Sequence, residues 1–115
     1  NSQIGVPLSV WQMRIENNLG IFEAGISKPH EMKQLQKIIQ PTIGVLTFIG
    51  DAHDEGFDNL TQKINEKLQL FLDSKSLIYC SDNDLVYNCV SQFARDSKNH
   101  IQLLITQIKK TYSLS

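Results

Sequence analysis

The spacing of apolar residues changes along this chain, and each spacing predicts an element. Leu8, Val10 and Trp11 alternate with polar positions over residues 7–14, and Pro7 suits a first helical position, so a short helix is predicted there. The polar Glu16-Asn17-Asn18 breaks it. Residues 19–24 (LGIFEA) form a brief apolar run closed by a glutamate, which predicts a buried strand, and 25–28 turn the chain. Ser27 is placed to cap a helix with Pro29 in its first turn; Met32, Leu35, Ile38 and Ile39 recur at helical spacing until Gln40-Pro41 stops it. Residues 42–49 (TIGVLTFI) are continuously apolar and rich in β-branched residues, the pattern of a strand covered on both faces. The polar, glycine-bounded stretch 50–57 (GDAHDEGF) is a loop. Asp58 then caps a long helix whose stripe is Leu60, Ile64, Leu68, Phe71 and Leu72. Residues 77–79 read as a strand, 81–84 as a loop and cap, and 85–95 as a helix. Residues 100–105 and 109–114 read as two last strands, the second at an edge.

Helices alternating with short apolar strands predict βαβ units. The expected class is α/β: three layers, with a mainly parallel sheet and helices on both faces. Open parallel sheets bind ligands beyond the carboxyl ends of their strands. That draws attention to Glu23, to residues 51–55 and to residues 81–84.

Composition narrows the functions. The 115 residues suffice for one core. Eleven Lys and Arg against twelve Asp and Glu give a net charge of −1, which lacks the electrostatic footprint of a nucleic-acid or anionic-membrane binder. The longest near-apolar run, 43–49, is too short to cross a bilayer, so membrane insertion is not expected; with no secretory signal pattern, the expected setting is cytoplasmic. The six glycines are scattered singly and none precedes a lysine, so neither GxxxxGK[ST] nor GxGxxG is present. Cys80 and Cys89 form no CxxC pair and have no histidine at ligand spacing; they read as free thiols.

Three residues carry candidate chemistry. Glu23 ends the first predicted strand and His53 follows the second by four residues, so parallel neighbouring strands would bring both to one rim. A carboxylate beside a neutral imidazole suits a metal site or an acid–base pair. The alternatives are a capping or ion-paired carboxylate for Glu23 and a solvated loop histidine for His53. Lys67 edges the apolar stripe of the long helix. It either snorkels to water or is desolvated, and a desolvated neutral lysine is nucleophilic and open to modification. Asp51, Asp54 and Glu55 add charge near the rim, while Asp82 and Asp84 either cap the following helix or reach the rim.

These residues lie in an ordered series of motifs. NSQIGVPL (1–8), FEAG (22–25), IGDAHDEGF (49–57) and Lys67-Leu68-Gln69-Leu70-Phe71, whose lysine falls fourteen residues after His53, resemble in order and spacing the motifs of the Mur ligases, and most nearly the dipeptide-adding branch. The wording GVPLSVWQM and LGIFEAGIS is similar to a subgroup fused to an alanine racemase. The resemblance runs from Asn1 to about Val90.

The resemblance implies part of the central ATP-binding α/β domain of a larger ligase, over residues 1–115, without its phosphate loop, its UDP-sugar domain and its C-terminal domain. It implies an ATP- and Mg2+-dependent reaction of cell-wall precursor synthesis. A UDP-muramoyl peptide carboxylate is phosphorylated, and the amine of D-alanyl-D-alanine attacks the acyl phosphate. By matched position Glu23 and His53 would ligate magnesium, Lys67 would carry a carbamate with His53 beside it in the catalytic set, and Asn1 would approach the substrate. Phe48 departs from the asparagine usual at its position. The isolated chain is expected to be inactive and to self-associate through uncovered apolar surface. A non-catalytic α/β binding module, a ligase adding another amino acid and a folylpolyglutamate-type ligase remain as alternatives.

Overall fold

The computed structural model of the chain describes residues 4–25, 28–47 and 58–107. The elements are α1 (Gly5–Trp11), α2 (Glu31–Ile39), β1 (Ile43–Leu46), α3 (Leu60–Leu68), β2 (Ser76–Cys80), α4 (Asp84–Asp96) and β3 (Gln102–Thr106). The three strands pair in the order β1-β2-β3, all parallel, with Gly44 opposite Leu77 and Leu77 opposite Leu103. The α/β class with a parallel sheet therefore holds. The predicted strand at 109–114 lies outside the described residues.

The βαβ units follow from local sequence. Asn59 caps α3, its side chain accepting the Gln62 N–H at 2.8 Å. Asn83 caps α4, accepting the N–H groups of Leu85 and Val86 at 2.9 and 3.1 Å. Each asparagine displaces the neighbouring aspartate expected in that role: Asp58 for α3, and Asp82 or Asp84 for α4. The reason is reach, because a cap needs extended backbone with its side chain turned onto the second or third N–H of the helix, and both asparagines have that backbone. At α2 the cap position is His30, in the left-handed region at φ 72°, with no side-chain cap; Pro29 lies before the helix rather than in its first turn.

Right-handed crossovers in one direction place α3 and α4 on the same face of the sheet, and the two helices pack on each other. Beneath them Ile64, Leu68, Leu77, Tyr79 and Val90 are almost fully buried, joined by Met32 and Leu35 of α2. After Leu68 the helix tightens into a 3-10 turn, Gln69–Phe71. The tighter turn advances the phase of the stripe. Leu70 and Phe71 enter the core and Leu72 is turned outward, where a regular helix had predicted it inside.

The strands are not covered alike on both sides. Along β1, Gly44 and Leu46 are buried while Ile43 and Val45 are more than half exposed, and Leu104 of β3 lies open on the same side as Val45. The continuous apolar run is thus a strand with one packed and one bare face among the described residues.

The run 19–24 is not a strand. Its residues alternate, Phe22 and Ala24 partly inward, Leu19, Ile21 and Glu23 outward, but no ladder partner exists among the described residues. The Phe22 ring folds over Gly20 together with the Met13 side chain, so the segment closes on its own neighbours rather than on the sheet. Periodicity alone does not supply the paired edge that a strand requires.

Candidate functional site

In a parallel sheet all carboxyl ends meet at one edge. Here that edge comprises Leu46 and Thr47 after β1, Cys80 and Ser81 after β2, and Thr106 after β3. Ser81 N–H donates to the Thr106 carbonyl at 3.1 Å, and the Thr106 hydroxyl donates to the Tyr79 carbonyl at 3.2 Å, stitching β2 to β3 at the rim. The opposite ends are tied by more bonds. Lys75 N–H donates to Thr42, Gln102 N–H to Lys75, the Ser74 hydroxyl to Pro41, and the Gln36 amide to Asp73. Firm anchoring at the amino ends leaves the carboxyl edge as the place where loops can vary.

Of the three residues that carry the candidate chemistry, Glu23 and Lys67 are described. Glu23 is exposed on the irregular segment after α1, so it reaches solvent from an extended connection and not from the end of a strand. Lys67 lies in the last turn of α3, half-buried, flanked by the buried Ile64 and Leu68. It therefore edges the apolar stripe as predicted. His53, Asn1, Phe48, Asp51, Asp54 and Glu55 lie outside the described residues. Asp82 and Asp84 are exposed beside the Asn83 cap. Among the described residues no three His, Cys, Asp or Glu side chains come together as a metal group. No described helix is long and apolar enough to cross a membrane.

Two shallow depressions flank α3. One, of about 340 Å³, lies against α4 and is lined by Asn65, Leu72, Cys89 and Phe93. The other, of about 590 Å³, lies against α2 and is lined by His30, Lys33, Asn59 and Glu66. Neither is lined by Glu23 or Lys67. At the α2 side, Glu66 accepts the Met32 N–H at 3.3 Å, supplying from α3 the cap that His30 does not give.

Two titrating groups are perturbed under α4. Burial pushes the Tyr79 phenol above its ordinary value, Tyr87 adds to the rise, and Ser91 opposes it. Burial alone pushes the Cys89 thiol up. Cys80 and Cys89 are both free thiols. The sequence reading passed over one residue close to the candidate chemistry: Lys63, one turn before Lys67, is 5% exposed. Its spacing from Lys67 and its place beside Ile64 were the available signal.

Comparison with known proteins decides what this arrangement belongs to. The Mur ligase middle domain matches residues 1–113. The chain belongs to the Mur ligase family. Among its relatives, the UDP-N-acetylmuramoyl-tripeptide--D-alanyl-D-alanine ligase of Buchnera aphidicola (Acyrthosiphon pisum) is 32% identical over 98% of this chain and 25% of its own length. The ligase of the same name from Bacillus subtilis is 30% identical over 79% of the chain and 21% of its own length. That of Borreliella burgdorferi is 31% identical over 70% of the chain and 19% of its own. The chain thus spans at most about a quarter of these relatives. No solved structure gives a significant match. The three-stranded parallel sheet with its crossover helices accords with the α/β architecture expected of a Mur ligase middle domain.

Proposed function

We propose that the chain is part of a cytoplasmic, ATP-dependent ligase that joins D-alanyl-D-alanine to a UDP-muramoyl tripeptide in peptidoglycan precursor synthesis. The observation that carries this is the family match over nearly the whole chain, together with three relatives that bear the dipeptide-adding name. In this reading residues 1–115 are a portion of the central domain, and the UDP-sugar, phosphate-loop and C-terminal portions belong to the rest of a longer polypeptide.

The chain's own residues then have defined tasks. Glu23 presents an exposed carboxylate, a hard oxygen donor. Magnesium characteristically takes one or two carboxylates and completes its octahedron with water and phosphate oxygens, so a single carboxylate at this place fits it. His53 would be the second protein ligand. When bound, magnesium supplies neutralisation of charge on the phosphate oxygens. Lys67, half-buried beside Ile64 and Leu68, would carry a carbamate, putting an anion where the family chemistry gathers cations and phosphate. Asn1 would approach the muramoyl peptide. The isolated chain is expected to be inactive, since it carries no phosphate loop motif.

The coding sequence around this segment tests the placement. The reading expects GxxGKT upstream, within about one helix and one strand of Asn1. An independent start codon preceded by a stop would overturn it in favour of a small binding module. A fused alanine racemase domain would be visible in the same sequence.

A further inference from the structure

We propose that Lys63 is a positioning residue, the counter-cation that holds the carbamate on Lys67; this rests on the reading of Lys67 given above. Both lysines lie on α3, one turn apart, on the flank of the stripe made by the buried Ile64 and Leu68. Residues four apart on a helix are surface neighbours. A helical side chain also leans back over the turn that precedes its own Cα, so the Lys67 stem runs over the turn carrying Lys63. Lys63 is only 5% exposed, an uncommon state for a lysine and one that keeps its charge close to the protein. Glu66, on the same turn, directs a carboxylate oxygen to the Met32 N–H of α2.

The chemistry gives this pair its sense. In carbamate formation the neutral Lys67 Nζ attacks the carbon of carbon dioxide, an N–C bond forms, a C=O π pair becomes carboxylate charge, and an Nζ proton leaves to solvent water. No electron is transferred to or from another reagent. The carbamate puts an anion one helical turn from the Lys63 ammonium, in surroundings where Coulomb interactions exceed those in bulk water. Lys63 acts through Lys67, stabilising the carbamate and fixing where its oxygens stand.

Carbon-13 NMR of the full-length polypeptide encoding this segment, in ¹³C-bicarbonate, tests this, with Lys67→Gln identifying the Lys67 carbamate signal. Lys63→Met keeps the apolar stem and removes the charge, and should lower carbamate occupancy at fixed bicarbonate and pH by roughly threefold or more, as expected for a lost neighbouring charge that is partly buried. Lys63→Arg should retain it, and raising bicarbonate should restore the Lys63→Met signal. Circular dichroism checks that each variant is folded, with Lys63→Gln as the second neutral variant should Lys63→Met not fold. Unchanged occupancy in a folded neutral variant would overturn the role of Lys63 alone. A wild-type full-length polypeptide with no Lys67-dependent signal would overturn the carbamate reading, and this inference with it.

Discussion

Tyr79 shows how one side chain can record the cost of a packed sheet. Its ring is 1% exposed at the carboxyl end of β2, and its hydroxyl makes no hydrogen bond. Ser91 of α4 is near enough to oppose the rise of the phenol pKa yet falls outside hydrogen-bond geometry. An unsatisfied buried hydroxyl costs about 1–3 kcal/mol, so Tyr79→Phe should stabilise the fold by about 1 kcal/mol, read as a higher midpoint in chemical denaturation. The raised pKa fixes the sign of the pH dependence. Unfolded chain ionises first, near the ordinary 10.0, and so binds fewer protons than the folded chain at alkaline pH. Stability is complete below that value and falls as pH rises through the folded pKa. Tyr79→Phe should lose this part of the alkaline decline, leaving the one due to Cys89, whose ordinary value of 9.0 is also raised.

At the scale of elements, caps and one close approach set the arrangement. Asn83→Ala removes two hydrogen bonds at the start of α4 and should destabilise by about 1 kcal/mol, whereas Asp82→Ala or Asp84→Ala should change stability by less than half of that. Thermal denaturation of the three variants separates them. Gly44 sits against the Phe71 ring, so a Cβ there would collide with ring atoms of the 3-10 turn. Gly44→Ala should cost about 1–3 kcal/mol by overpacking, although alanine is otherwise the better strand residue; urea denaturation measures it. These elements also show what the sequence made readable. Three of the four helices and the strands at β1, β2 and β3 were visible as changes of apolar period, and α1 was visible too, with its start shifted by two residues. The run 19–24 misled, because Leu19 and Ile21 look like core residues until a ladder partner is required. Leu72 misled because a change from 3.6 to 3.0 residues per turn leaves no mark in the spacing. The candidate site was legible as motif rather than as geometry: Lys67 was recognisable as a stripe-edge lysine, while the juxtaposition of Glu23 with His53 depended on a strand that the chain does not form.

Among the described residues, the sheet presents a packed face and a bare one. Ile43, Val45 and Leu104 lie open on the sheet, and Leu8, Trp11 and Ile15 lie open along and after α1. Apolar surface gathered in this way favours association. The chain should therefore self-associate as its concentration rises, and Val45→Lys, which places a charge on an edge strand, should shift it towards monomer. Light scattering over a concentration series reads both, and a monodisperse wild-type monomer at high concentration would refute the expectation. The same bare face accords with a chain that spans only about a quarter of the ligases it resembles.

The central claim is that this chain supplies Glu23, His53 and Lys67 to a dipeptide-adding ligase. Its most direct test is phosphate release from ATP by the full-length polypeptide encoding this segment, given a UDP-muramoyl tripeptide and D-alanyl-D-alanine. The account predicts release that depends on both substrates and on magnesium, and that falls at least a hundredfold in Lys67→Ala, the order expected when a transition-state interaction is lost. Release independent of the dipeptide, or a Lys67→Ala enzyme as active as the parent, would contradict it.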